Sequence, residues 1–342
     1  MPALFPTTRI LSAATAITLG LTSTIAAAET VTWRFNNNYA PTRPESAHIR
    51  TFAENVAANS GGNFTINVIE GGGMNLKDAD ALRWMQTGTP EIAFIWPTFI
   101  GRDAPDLASL YVYGSVSTAE EHLRALPAVE EALTTGFAER NIPVVGFMAL
   151  PMIDASLFCR EPVQTLDELK TRKLRVGSRE QVETFTALGV AAQIVPQNEL
   201  YAALQTGVVD CALYAARFAK SISLQEVAKH AVYTGFPFPP APYAIVAHKA
   251  TLEGLSAENR EALDKALVTL KEDSFQFDGD AAAETAARAD LTAAGVTWYD
   301  DFSEADVAAI REAASATWLK LSEEGGAAAV AYREKILALI NQ

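Results

Sequence analysis

The chain has 342 residues, of which 49% are hydrophobic, so it is long enough for two domains that each bury a core. Its 41 acidic residues outnumber its 27 basic residues and give a formal net charge of −14 at pH 7. A chain this acidic repels phosphate backbones and anionic lipid, which argues against nucleic acid and membrane surfaces as partners.

The N-terminus has the pattern of a secretory signal. Arg9 precedes an apolar and small-residue run over residues 10–25, and Ala26-Ala27-Ala28 supplies a cleavage site. The run is too short and too rich in Ser, Thr and Ala for a convincing spanning helix, although a retained membrane anchor is the alternative. Cleavage after Ala28 removes residues 1–28, leaves 342 − 28 = 314 residues and predicts a periplasmic protein.

Strands alternate with helices along the chain. The alternation of Val31 to Phe35 predicts a strand, and Ser46 to Ala58 predicts an amphipathic helix. Further strands are predicted at 64–69, 92–96, 144–147, 156–158, 173–176, 208–214 and 243–247. Helices are predicted at 79–85, 119–137, 180–188 and 256–294, the last interrupted only at Gly279. Strands separated by helices indicate βαβ units and an α/β fold with mixed, mostly parallel sheets.

A proline-dense segment from Phe236 to Pro242 predicts a crossover, because it cannot be helix and is poor as a central strand. The order of elements then predicts domain I over residues 29–152 plus 241–280, and domain II over residues 153–240 plus 281–342. The segments between them would act as hinge strands, and we expect a monomer.

Signatures of catalysis and metal binding are missing from the sequence. It has no G-x-S-x-G elbow, no phosphate-binding loop and no H-E-x-x-H motif. The four histidines are scattered without ligand spacing: His48, His122, His230 and His248. We therefore expect no enzymatic activity, no cofactor and no metal site.

The segment from Lys173 to Ser178 predicts a carboxylate site. Arg175 lies on a short apolar strand and is followed by Gly177-Ser178 and a helical pattern. A guanidinium binds a carboxylate through two parallel hydrogen bonds, and a helix N-terminus favours the same charge. On the bare sequence, Arg175 could also be one of several solvated charges in its basic run.

The same region resembles a known family. It is similar to the solute-binding proteins of TRAP transporters, the DctP-type periplasmic receptors for organic acids. Three stretches carry the resemblance: LDELKTRKLRV (166–176), ALGV (187–190) and VPQNELYAALQTGVVD (195–210). Gly is usual in that family where Thr171-Arg172 and Cys211 stand here. The resemblance implies a two-domain periplasmic-binding-protein-like fold that closes on a carboxylate, with a long helix along both domains. It also implies Arg175 as main anchor and TRAP permease membrane subunits as partners.

Further side chains are expected near this site, because ligands of open α/β sheets bind outside the carboxyl ends of strands. They follow predicted strands or lie in the crossover: Asn38, Trp96, Tyr214, Phe236 and Phe238. The aromatic residues could instead be core, and the asparagine could belong to a solvated turn.

Four polar residues complete the candidates. Ser178 could contact the ligand or only cap the helix. Arg160 could be a second anchor or the partner of a structural ion pair. Glu199 and Asp210 are expected to hold the cation of Arg175 in place.

Cys159 and Cys211 are the only cysteines. Export to an oxidising compartment favours a disulfide between them, and two buried thiols are the alternative.

These observations predict a receptor that binds an organic acid anion and delivers it to a TRAP-type permease. An aromatic wall without an obvious second arginine favours a monocarboxylate with an apolar or aromatic tail. Two alternatives stay open. Arg160 or Arg217 could make a dicarboxylate site, or the chain could be a secreted enzyme for small acids.

Overall fold

The computed structural model describes residues 1–3 and 30–342. The predicted signal segment therefore lies outside the described residues, apart from its first three positions. The strands of the described part are, in chain order, β1 (Val31–Asn36), β2 (Phe64–Ile69), β3 (Ile92–Ile95), β4 (Val144–Met148), β5 (Asp154–Cys159), β6 (Lys173–Val176), β7 (Ala191–Ile194), β8 (Cys211–Ala215), β9 (His230–Pro237), β10 (Tyr243–Ala247) and β11 (Thr297–Trp298).

The α-helices of the same residues alternate with these strands and then continue alone to the C-terminus. They are α1 (Pro44–Asn59), α2 (Ala81–Gln86), α3 (Pro105–Ala108), α4 (Ala119–Glu139), α5 (Leu166–Leu169), α6 (Arg179–Ala187), α7 (Leu200–Thr206), α8 (Ala216–Ala219), α9 (Leu224–Val227), α10 (Lys249–Glu253), α11 (Ala257–Ser274), α12 (Asp280–Ala293), α13 (Glu304–Gly325) and α14 (Ala327–Ile340). None of these helices is long and apolar enough to cross a membrane.

The strands form two mixed sheets. The first has the order β2-β1-β3-β10-β4, with β1 parallel to β2 and β3 and with β10 antiparallel to β3 and β4. The second has the order β11-β9-β5-β8-β6-β7, with β6 parallel to β7 and β8 and with β5 antiparallel to β8 and β9. Each sheet with its helices is called a lobe below. The predicted α/β class with two mixed sheets is confirmed.

The chain passes between the lobes in four places, and the last is helix α13, which leads from β11 in the second lobe to α14 on α4 of the first. Two are the connections from β4 to β5 and from β9 to β10. The second contains all of the predicted proline-dense crossover except Phe236 and Pro237, which end strand β9 instead. The third is the break between α11, which packs on α1 and β4, and α12, which packs on α8. Asp280 joins two of these passages, because its carboxylate accepts hydrogen bonds from Met152 N at 2.8 Å and from Arg217 Nη1 at 2.7 Å.

The helical stretch predicted at 256–294 is therefore two helices. The expected interruption at Gly279 extends back to Phe275, and the helices on either side pack on different lobes. A single helix that contacts both lobes is α13, which packs against α3 in the first lobe and α6 in the second.

Hydrophobic side chains on both faces of each sheet form the core. On the second sheet, Leu174 and Val176 are fully buried in a cluster on one face. The other face contributes to a cluster that spans both lobes and includes Phe94 and Tyr243 of the first lobe with Tyr214 and Phe218 of the second. The two lobes are therefore in contact in this structure.

The two cysteines lie opposite each other in the second lobe. Cys159 on β5 pairs with Cys211 on β8, and their Sγ atoms form a disulfide. Both residues are buried. Of the two alternatives that the sequence left open, the structure contains the disulfide.

Candidate ligand-binding site

Arg175 is a buried cation held by the backbone. It lies on β6, between Gln193 of β7 and Ala212 of β8 in the sheet register. Its Nε donates to Val195 O at 2.8 Å and its Nη1 donates to Leu213 O at 3.2 Å. These bonds fix the plane of the guanidinium. Nη2 donates to no group in the described part of the protein.

The charge of Arg175 is uncompensated. The side chain is 6% exposed, and no carboxylate in residues 30–342 forms a salt bridge with it. Burial lowers the pKa of Arg175 to about 10, so it stays protonated at neutral pH. A buried cation without a partner is unfavourable by several kcal/mol, on the order expected for an ion taken out of water. An anion would remove that penalty.

Tyr214 lies beside this cation, and Ser156 lies beside Tyr214. The Arg175 guanidinium carbon is 5.7 Å from the centroid of the Tyr214 ring. Ser156 on β5 is the direct neighbour of Tyr214 on β8, so both side chains share one face of the sheet. Their hydroxyl oxygens are buried and have no hydrogen-bond partner. Buried polar atoms are normally paired, so these groups are available to a ligand.

The hydroxyl of Tyr214 is protonated at neutral pH. Burial raises the pKa of Tyr214 to about 12, and the charges of Arg43 and Arg175 act in the opposite direction. Tyr214 can therefore donate a hydrogen bond to an anion next to Arg175.

The first lobe contributes two predicted residues at the carboxyl ends of its strands. Trp96 follows β3, is partly buried and contacts the edge of Phe99 at 4.8 Å between ring centroids. Asn38 follows β1, and its Nδ2 donates to Leu76 O at 2.9 Å and to Asp78 Oδ1 at 2.6 Å. Trp96 Nε1 and Asn38 Oδ1 are buried without a partner.

A second buried arginine, which the sequence analysis did not single out, lies between the lobes. Arg43 precedes α1, and its guanidinium carbon is 4.0 Å from the ring centroid of Tyr39 in the first lobe and 3.9 Å from that of Phe218 in the second. Its Nε and Nη2 donate to the two carboxylate oxygens of Glu45. Burial lowers the pKa of Arg43, but the Glu45 carboxylate together with Tyr243 and Tyr39 raises it, and the net direction is upward.

Nothing local in the sequence marks this pair. Thr42-Arg43-Pro44-Glu45 has the composition of a solvated helix start, with Pro at the first helical position and an acidic residue in the first turn. The position of Arg43 between the lobes is visible only in the tertiary structure, because Arg43 Nη1 donates at 3.4 Å to Gln197, which is 154 residues away in the chain.

Two predicted polar residues are placed differently from expectation. Ser178 is at the N-cap of α6, but its hydroxyl makes no cap bond and donates to Glu180 Oε1 at 2.8 Å. Arg160 is exposed next to Gly207, just after the carboxyl end of β5. Because β5 is antiparallel to β8, that end lies away from the carboxyl ends of β6 and β8. Arg160 therefore does not reach Arg175.

The two crossover phenylalanines differ. Phe236 is fully buried in the cluster of Leu174 and Val176, where its ring contacts Tyr113 at 5.7 Å. Leu174 and Val176 flank Arg175 on β6 and point to the face of the sheet opposite the Arg175 side chain. Phe236 therefore packs on that opposite face, and the expectation that it lines the site does not match its placement. Phe238 is partly buried and packs against both that cluster and the cluster that spans the lobes.

The expected carboxylate supports of Arg175 are also elsewhere. Asp210 accepts a hydrogen bond from Lys173 N at 2.9 Å, and Glu199 is exposed. Carbonyl oxygens hold the cation instead of Glu199 and Asp210, which leaves its charge unneutralised.

Two other features of the described residues bear on small-molecule binding. Residues 1–3 and 30–342 contain no cluster of metal-ligating side chains. A groove of about 790 Å³ runs along α13 and α14, lined by residues such as Phe302, Arg311, Leu319 and Arg333. It is an outer surface that contains none of the predicted site residues.

Residues 35–324 match the sequence profile of the DctP family, described as bacterial extracellular solute-binding protein, family 7. The chain belongs to this family. The resemblance to DctP-type TRAP receptors is thereby confirmed, and the family consists of extracytoplasmic solute-binding receptors rather than enzymes.

Individual relatives agree in fold. The C4-dicarboxylate-binding periplasmic protein of Rhodobacter capsulatus is 27% identical over 344 residues, which cover 95% of this chain and 97% of that protein. A Bordetella pertussis extracytoplasmic solute receptor binding pyroglutamic acid has a TM-score of 0.79 at 20% identity, over 92% of this chain and 100% of its own. A TRAP solute-binding protein from an unidentified marine microbe, specific for aromatic acids and crystallised with 3-hydroxybenzoate, has a TM-score of 0.77 at 20% identity, over 92% and 98% of the two chains.

Proposed function

We propose that this DctP-family receptor binds a small monocarboxylate through Arg175 and hands it to the membrane subunits of a TRAP transporter. The carboxylate would accept two hydrogen bonds from Arg175 and one from Tyr214. The rest of the ligand would lie between the lobes, against Trp96, Phe238 and the rings around Arg43. The receptor would act in the periplasm, as the N-terminal signal pattern predicts.

One observation carries this proposal. Arg175 is buried with a fixed orientation, a charge that no described side chain neutralises, and a terminal nitrogen without a partner. A structural ion pair would have a carboxylate partner, and a solvated arginine would be exposed. A charge-assisted hydrogen bond contributes about 1.5–3 kcal/mol net, and burial of an apolar tail adds a similar amount.

The ligands of the compared receptors support an acid and differ in its tail. Pyroglutamic acid and 3-hydroxybenzoate are each a carboxylate on a ring, bound by receptors of the same fold. A ring suits the aromatic groups between the lobes, since aromatic pairs contribute about 0.5–1.5 kcal/mol beyond burial.

A dicarboxylate is the second candidate, because the Rhodobacter capsulatus relative is named for C4-dicarboxylates. It needs a second free cation. Arg160 is at the far end of the sheet, and Arg217 is engaged by Asp280 at 2.7 Å. Neither residue proposed from the sequence supplies that cation, so we favour the monocarboxylate.

A thermal-shift panel of acids tests the proposal. We expect 3-hydroxybenzoate, pyroglutamate or a related monocarboxylate to raise Tm, since a ligand at a hundredfold excess over Kd adds about 2.7 kcal/mol of stability. Succinate, glutarate and glucuronate belong in the same panel. Stabilisation by diacids alone would rule out the monocarboxylate, and mass spectrometry after incubation should recover every bound acid unchanged.

A further inference from the structure

The salt bridge between Arg43 and Glu45 is buried at the junction of the two lobes. The exposed fractions of the two side chains are 7% and 1%. The carboxylate of Glu45 also accepts a hydrogen bond from the Tyr243 hydroxyl at 3.2 Å. Both oxygens of Glu45 are therefore engaged, and the charge of Arg43 is neutralised within the protein.

The Arg43–Glu45 pair lies close enough to Arg175 for their charges to interact. Arg43 Nη1 donates to Gln197 at 3.4 Å, and Arg175 Nε donates to Val195 O, two residues earlier in the chain. The guanidinium of Arg175 faces the Tyr214 ring and that of Arg43 faces the Phe218 ring, and both rings belong to the cluster that spans the lobes. The surroundings of Tyr214 thus contain two cations and one anion, which leaves one positive charge for a ligand to balance.

We propose that Glu45 determines the charge of the ligand: by cancelling Arg43, it leaves Arg175 as the single uncompensated cation, so the site accepts monoanions and disfavours dianions. The inference rests on the proposed binding of a carboxylate by Arg175. It assigns the preference to a residue that touches Arg43 and not Arg175.

The physical reason is the cost of an unbalanced charge in a desolvated site. A monoanion brings the total charge of Arg43, Arg175, Glu45 and the ligand to zero, whereas a dianion leaves one negative charge buried beside Glu45. Unit charges several ångströms apart interact strongly enough at an effective dielectric constant of about 20 to change affinity by roughly tenfold or more. Arg43 would be the ready partner of a second carboxylate if Glu45 were neutral.

Calorimetry with matched acids tests this inference. The probe pairs are 3-hydroxybenzoate with isophthalate, and pyroglutamate with glutarate, in which the second acid of each pair carries an extra carboxylate. We expect Glu45→Gln, which keeps the shape and an acceptor for Tyr243, to shift the affinity ratio at least tenfold toward the diacid. Glu45→Asp, which keeps the charge, should retain the wild-type ratio.

Two further variants keep the test decisive if Glu45→Gln folds poorly. Arg43→Gln leaves the Glu45 carboxylate unpaired and should weaken monoacid binding at least tenfold, although Arg175 is intact. The double variant Arg43→Gln/Glu45→Gln also lacks the stacking of Arg43 on the rings of Tyr39 and Phe218, but these two positions carry no net charge in it, as in the wild type. It should therefore recover the wild-type ratio of monoacid to diacid affinity.

An unchanged ratio in Glu45→Gln, or wild-type monoacid affinity in Arg43→Gln, would overturn the role of Glu45. Either result would leave the proposed function standing if Arg175→Ala still abolished binding. A wild-type protein that binds the diacids better than the monoacids would instead contradict the proposed function itself.

Discussion

Arg175→Ala is expected to weaken binding of the acid selected by the panel at least a hundredfold while the protein still folds. The substitution removes the uncompensated cation that the site offers to a carboxylate, and truncating one partner of a buried charge pair typically costs about 2–5 kcal/mol. The fold should tolerate it because Arg175 has no carboxylate partner that would be left unpaired. Isothermal calorimetry gives the affinity, and circular dichroism the fold.

Arg160→Ala is the matched control, since Arg160 is exposed at the opposite end of the same sheet. It should bind with wild-type affinity. Arg175→Lys should stay weak, because an ammonium group cannot reproduce the planar fork or the two carbonyl contacts. An Arg175→Ala protein with unchanged affinity would show that the carboxylate binds elsewhere.

Loss of the disulfide is expected to have the largest effect on stability. Cys159 and Cys211 are separated by 52 residues and join adjacent strands of the second sheet. For a loop of this length the chain-entropy account gives about 4 kcal/mol of stabilisation. The double variant Cys159→Ala/Cys211→Ala should therefore unfold at a clearly lower denaturant concentration than the wild type.

Ligand affinity should be nearly unchanged in that variant under folding conditions, because both cysteines pack in the cluster of Leu174 and Val176, on the face of the sheet opposite Arg175 and Tyr214. Thiol titration of unreduced, denatured wild-type protein is the direct check. Two reactive thiols would mean that the bond does not form, and the stability difference should then vanish.

Much of the fold could be predicted from local patterns. The strands at residues 64–69 and 243–247 were predicted to the residue. The first is an alternating run between glycine-rich turns, and the second is a continuous apolar run directly after Pro242. The predicted start of the strand at 208–214 came three residues early. No part of β9 was predicted as a strand, since its place is set by pairing with β5, more than seventy residues earlier.

The candidate site was predictable only where chemistry and local sequence coincide. Arg175 between Leu174 and Val176 shows the alternation of a strand with one face in the core, and the structure has that arrangement. The role of Phe236 depends on which face of β9 it occupies, and a local pattern does not give that. Glu45 became a candidate only when Tyr243, far along the chain, was found beside it.

The buried disulfide also makes the protein suited to a fluorescent ligand sensor. Both cysteines of the sequence are joined in it, so a cysteine introduced elsewhere would be the single thiol open to labelling. Thr42 is exposed and directly precedes Arg43, whose side chain contacts Phe218 and Gln197 of the opposite lobe. A polarity-sensitive dye on Thr42→Cys would report movement between the lobes as a change in emission, so acids could be screened without a radiolabel or a transport assay.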